Sequence, residues 1–189
     1  TATPDCLFPS TSSKVQEKIK AKKAAAFDLS AGCSGFLYGL AVACELVKNN
    51  FFEKVLLIGA ETLSKFIDMK DRSTCILFGD GAGAMVIGKG ESSFFSFVLG
   101  SDGRGGSYLE LPAGGSLRPA SRETIEQGLH FVKMDGKLVF KWAVEKMAEA
   151  SLELLQKEGI KVEEVDWFLP HQANLRIIDS VRDRLGITA

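Results

Sequence analysis

The sequence predicts an α/β protein built in layers, and three observations predict it. Short apolar runs of strand length alternate with segments of helical periodicity along the 189 residues. Two of those runs, Ala24–Leu29 and Val165–Leu169, lead through a small or polar turn straight into a helix. Glycine stands where the helical patterns stop, at Gly159 and Gly186.

The segment around Thr1–Ser13 is rich in Thr, Ser and Pro and reads as a loop. It feeds a helix expected from Ser12 to Ala21, beside a lysine cluster of Lys14, Lys18, Lys20, Lys22 and Lys23 that reads as a solvated face. Ala24–Leu29 is expected to be a short buried strand. Ser30, Ala31 and Gly32 then form a turn, and a helix follows with Phe36, Leu37, Leu40, Ala43 and Val47 as its apolar positions. Cys33 stands at the start of that helix. Unpaired N–H groups and the positive end of the helix dipole there would stabilise a thiolate. A buried structural cysteine is the competing reading, since free cysteine is among the most buried residue types.

Lys54–Ala60 reads as a second buried strand, Ala84–Gly88 as a third and Phe94–Leu99 as a fourth. GDGAG, Gly79–Gly83, lacks the lysine of a phosphate loop and opens a strand rather than a helix. It reads as a sharp turn with close backbone approach. Ser101–Gln127 is a Gly-, Ser- and Pro-rich surface excursion. A long helix is expected over Lys137–Lys157, with Val139, Ala143, Met147, Ala150 and Leu154 as its core stripe. Val165–Leu169 is expected to be a buried strand, ending in Pro170-His171-Gln172-Ala173-Asn174 before an amphipathic helix over Leu175–Leu185.

Composition narrows the function. Hydrophobic residues make up 46%, charged residues 25%, and the net charge is −1, which argues against an electrostatic grip on nucleic acid. No apolar run approaches the roughly 20 residues that span a bilayer. Four cysteines without CxxC spacing argue against a metal site or a disulfide framework, so no metal is expected and a reducing, cytoplasmic setting fits; no cofactor is expected either. Thr1 and the stop after Leu185-Gly186-Ile187-Thr188-Ala189 suggest a segment of something longer.

Of the two histidines, His130 lies in an apparent strand and carries little functional weight. His171 stands at the carboxyl end of an expected strand, where open α/β sheets place reactive groups. A thiol at one strand–helix junction and an imidazole at another suggest Cys/His nucleophilic chemistry, although spacing alone does not bring them together.

Three motifs sharpen this. SAGCSGF (Ser30–Phe36), DRSTCILFGDGAGAMV (Asp71–Val86) and PHQANLRI (Pro170–Ile177) closely resemble beta-ketoacyl-ACP synthase III, the initiating condensing enzyme of type II fatty acid synthesis. The resemblance runs from Phe8-Pro9-Ser10 to Leu185-Gly186 and is weakest over Ser101–Lys133. It implies a thiolase-like fold in αβαβα layers with two similar halves, here incomplete at both ends. Residues 1–92 would be the later part of the N-terminal half, with the nucleophile. Residues 93–189 would be the first part of the C-terminal half, with the histidine. It implies that Cys33 takes an acyl group from acyl-CoA, acetyl-CoA foremost, and that His171 assists decarboxylation of malonyl-ACP. It makes Arg72 a contact of the CoA nucleotide, otherwise an ion-pair partner of Asp71 or Asp68. Phe8 would reach across a homodimer to the partner's acyl pocket, otherwise plain interface packing. Gln172, Ala173, Asn174, Leu175 and Arg176 would bind the acyl carrier protein, with Lys141, Arg176 and Arg184 as a basic patch. Asp183 departs from the family there, where a lysine is often found. The family's third catalytic residue, an asparagine in an Asn-Thr-Ser-Ala-Ala run, is not in this sequence, and Asn174 is not its substitute. A polyketide-type synthase of the same superfamily and a non-catalytic module of the same fold are the alternatives.

Overall fold

The computed structural model describes residues 1–90 and 96–187. The chain divides into two units, one formed by Thr1–Leu63 and Gly79–Phe95, the other by Ser64–Phe78 and Ser96–Ala189.

The first unit opens with α1, Thr11–Lys18. Ser10 caps it by accepting from the Ser13 amide at 3.2 Å, and the Asp28 carboxylate accepts from the Thr11 and Ser12 amides at 2.8 Å each. These three bonds satisfy amides that the first helical turn leaves without partners. A 3-10 turn over Gly32–Ser34 precedes α2, Gly35–Lys48, whose Ala41, Ala43 and Val47 are buried. The strand β1, Lys54–Thr62, pairs antiparallel with β2, Asp80–Gly88, in a register running from Lys54 opposite Gly88 to Thr62 opposite Asp80. Two glycines let α2 lie close on this sheet. A Cβ on Gly39 would meet Leu57 Cδ1 at 2.7 Å, and one on Gly59 would meet Phe36 Cδ2 at 3.1 Å.

In the second unit, β3 (Leu109–Glu110) and β4 (Lys133–Met134) form a two-residue antiparallel ladder around α3, Arg122–Glu126. Then comes α4, Gly136–Glu158, capped at its start by Asp135, which accepts from the Lys137 and Leu138 amides. The last helix, α5, Leu175–Leu185, packs against α4. Its Ile177, Val181 and Leu185 recur at four-residue spacing, so they share one face and close the core with Val144 and Ala148. Gly159 and Gly186 end α4 and α5 in the left-handed region, as the sequence implies.

Several elements differ from expectation. Ala24–Leu29 and Val165–Leu169 are not strands. Neither finds a ladder partner in the two sheets of the described residues, and an apolar run without one gains nothing from an extended pairing geometry. Trp167 and Leu169 are accordingly exposed. GDGAG is not a turn. Asp80–Gly83 begins β2, and a Cβ at Gly79, Gly81 or Gly83 would meet open space, so the close approaches belong to Gly39 and Gly59 instead. Lys54–Ala60 is a strand but only half-buried, and Leu56 and Val86 are exposed. In the expected strand Phe94–Leu99, residues 94 and 95 lie outside the described residues and 96–99 form none. The buried stripe of α4 runs through Val144 and Ala148, with Phe140, Ala143 and Met147 beside it, while Ala150 is exposed.

Candidate active site

Cys33 and Phe8 belong to the first unit; Arg72, Lys141 and Pro170–Arg184 belong to the second. Each group is built by its own unit.

Cys33 is the middle residue of the 3-10 turn that leads into α2. Gly32 before it has φ +52°, the left-handed region that an L side chain rarely adopts, so the turn requires glycine there. The residue is exposed. Its thiol is nevertheless pushed up from the ordinary value: crowding around the sulfur disfavours the thiolate, its own backbone amide works the other way, and the Glu61 carboxylate adds to the rise. This reverses the expectation of a helix start that lowers the thiol. The α-helix proper begins two residues later, at Gly35, so Cys33 lies on the turn that precedes it rather than in its first turn. Phe8 is 84% exposed.

The second unit presents His171, Gln172 and Ala173 exposed in the loop before α5. Asn174 caps α5, accepting from the Arg176 amide at 2.9 Å. Leu175 and Arg176 are exposed on its first turn and Arg184 on its last, while Lys141 is exposed on α4. Arg182, by contrast, pairs with Asp179 and Asp183. Arg72 is exposed within a run of turns. The ion pair with Asp71 does not form, because the Ser73 amide and hydroxyl and the Thr74 hydroxyl take that carboxylate. Those bonds hold Asp71 below its ordinary range. His130 is held by a 2.9 Å hydrogen bond between its Nε2 and the Thr124 hydroxyl, a structural role.

Glu61 is the residue that sequence reasoning passed over. It sits near the end of β1 and accepts from the Ala2 amide and the Thr3 hydroxyl at 2.7 Å each. Its one legible signal was a carboxylate at the carboxyl end of an apolar strand. Among the described residues no cluster of three His, Cys, Asp or Glu could hold a metal, and no helix is long and apolar enough to cross a membrane.

Two family models match the chain. Residues 27–103 match 3-oxoacyl-[acyl-carrier-protein] synthase III, and residues 155–189 match its C-terminal part. The chain belongs to the beta-ketoacyl-[acyl-carrier-protein] synthase III family. The synthase of that name from Caldanaerobacter subterraneus subsp. tengcongensis is 54% identical over 100% of this chain and 57% of its own length. That of Natranaerobius thermophilus is 50% identical over 100% of this chain and 59% of its own. Among solved structures, the beta-ketoacyl-ACP synthase III of Thermus thermophilus superposes with a TM-score of 0.85 at 46% identity, covering 98% of this chain and 57% of that one. The priming beta-ketosynthase of the R1128 polyketide pathway superposes with a TM-score of 0.86 at 37% identity, covering 98% and 55%. The chain thus spans a little under three fifths of these relatives, and its fold class is theirs: α/β and thiolase-like. Cys33 lies in the first matched stretch and His171 in the second.

Proposed function

We propose that the protein is a condensing enzyme that starts type II fatty acid synthesis. The Cys33 sulfur would attack the thioester carbonyl of an acyl-CoA, with CoA leaving as the thiolate. Malonyl-ACP would then lose CO2, and His171 would donate a hydrogen bond to the thioester oxygen as negative charge develops there. The resulting enolate would attack the acyl-Cys33 carbonyl and expel the Cys33 thiolate, giving 3-oxoacyl-ACP. The third group of the site, the family's asparagine, is not among these residues.

The observation that carries this reading is an exposed cysteine on a glycine-dependent turn at the head of α2, inside a stretch that matches the family model. Exposed Arg72 fits a contact to the CoA phosphates. The exposed cations Lys141, Arg176 and Arg184 fit an acidic carrier protein, with Gln172–Arg176 as the docking stretch. Phe8, exposed in this single chain, fits a homodimer contact at the acyl pocket. The division at 92/93 into a nucleophile-bearing half and a histidine-bearing half, and a cytoplasmic setting, belong to the same proposal.

The test is to incubate the full-length protein with radiolabelled acetyl-CoA. Label should appear on the Cys33 peptide and vanish in Cys33→Ser; label of equal strength in that variant would sink the assignment. A second reading, a polyketide-priming synthase, is favoured by the R1128 structure. Competition between acetyl-CoA and longer or branched acyl-CoAs for the labelling of Cys33 separates the two.

A further inference from the structure

We propose that Glu61 is a positioning residue for Cys33: its carboxylate, fixed in place by Ala2 and Thr3, stands beside the nucleophile's turn. The inference rests on the proposed role of Cys33 for its catalytic meaning, but not for its titration.

The packing of α2 on β1 supplies the geometry. Leu57 meets Gly39, and Gly59 meets Phe36. Alternate residues of a strand share a face and advance by roughly 6.6 Å, so Leu57, Gly59 and Glu61 all face the helix. From Gly39 back to Phe36 the helix retreats by roughly 4.5 Å. One further strand repeat, to Glu61, runs in the direction of the 3-10 turn that holds Cys33.

The carboxylate is not free to swing away. The Ala2 amide and the Thr3 hydroxyl each donate to one of its oxygens at 2.7 Å, and the Thr62 amide donates to the Thr3 hydroxyl at 2.8 Å. The same segment reaches the other side of the turn, where the Thr1 nitrogen donates to the Leu29 carbonyl at 3.1 Å. Thr1–Thr3 therefore ties the end of β1 to the lead-in of the nucleophile loop, with Glu61 as the knot. Glu61 is also the charged side chain that acts on the sulfur. A carboxylate so placed adds to the desolvation that disfavours the thiolate. A thiolate of higher pKa is also the stronger nucleophile once formed.

The experiment is iodoacetamide alkylation of the full-length protein across pH, read on the Cys33 peptide by mass spectrometry. Glu61→Gln removes the charge and keeps a hydrogen-bonding amide, so the alkylation midpoint should fall by roughly half a pH unit. Thr3→Val frees one carboxylate oxygen and should move the midpoint the same way by less. Glu153→Gln, an exposed carboxylate on α4, should leave it in place. A midpoint that stays put or rises in folded Glu61→Gln overturns the proposal. Should that variant fail to fold, an unmoved midpoint in Thr3→Val overturns it. Alkylation needs no acyl donor, so absence of acetyl label on Cys33 would instead sink the proposed function and leave this reading to its own measurement.

Discussion

The Asn174 side-chain oxygen accepts a hydrogen bond from the Arg176 amide at 2.9 Å, so the carboxamide that follows the Pro-His-Gln-Ala run is engaged in starting α5. Its extended backbone, with φ −160°, is that of a cap rather than a helical residue. Removing this oxygen leaves a first-turn amide without its partner. Asn174→Ala should therefore cost about 1 kcal/mol, and Asn174→Asp or Asn174→Ser should restore most of it. Thermal unfolding of the full-length protein checks this.

What was legible in the sequence was periodicity and punctuation. The bounds of α5, the long run of α4 and the two closing glycines depend on local spacing, and they stand where spacing put them. The run Ala24–Leu29 fared differently because a strand needs a partner, and its own residues say nothing about where that partner comes from. The glycines of GDGAG misled because glycine also accepts an extended backbone, as Gly81 and Gly83 do opposite Glu61 and Gly59. Cys33 and His171 were visible as motif residues. Glu61 was not, since its meaning depends on the face of β1 that α2 covers.

Val181 is 0% exposed at the centre of the α4–α5 contact, against Val144 and Ala148. Truncation there removes buried methyl groups and leaves a void that two packed helices cannot readily close. Val181→Ala should cost about 2 kcal/mol, seen as a lower denaturant midpoint with an unchanged slope. A loss of a few tenths would mean that the two helices re-pack freely.

The two contact glycines of the first unit should respond unequally to alanine. At Gly39 the clash is with a terminal methyl of Leu57, which can rotate, and alanine favours a helix over glycine by about 1 kcal/mol. Gly39→Ala should thus be close to neutral. At Gly59 the new methyl meets the ring of Phe36, a stiff neighbour, and a strand gives no helical compensation. Gly59→Ala should cost about 1–2 kcal/mol by overpacking. Urea unfolding of both variants ranks them.

Asp28 gives the first unit an acid-sensitive joint. Burial works to raise its carboxyl, but the Ser12 and Thr11 amides outweigh this and hold it below the ordinary value. A carboxyl lowered in the folded state stabilises fully above its unfolded pKa, and that stability is lost as pH falls through the folded one. Stability measured from pH 6 downwards should therefore decline less steeply in Asp28→Asn than in the parent. At pH 7, Asp28→Ala should cost about 1 kcal/mol, the usual effect of losing an acceptor at a helix start.

Arg176 and Arg184 are exposed at the two ends of α5, whereas Arg182 between them is held by Asp179 and Asp183. A paired guanidinium presents little net charge to an approaching partner, so the first two should carry most of the attraction to an acidic carrier protein. Charge reversal acts chiefly on association, and salt screens it over a Debye length of about 8 Å at physiological ionic strength. Arg176→Glu should raise KM for malonyl-ACP several-fold at low salt, with the difference narrowing as salt is added. KM for acyl-CoA should change little, since that substrate would meet Arg72 instead. Asp183→Lys should act in the opposite sense, lowering KM for the carrier protein by adding a cation and releasing Arg182 from one of its two carboxylates. Steady-state kinetics on the full-length protein at two salt concentrations decides the matter. Equal effects on both substrates would remove α5 from the docking surface.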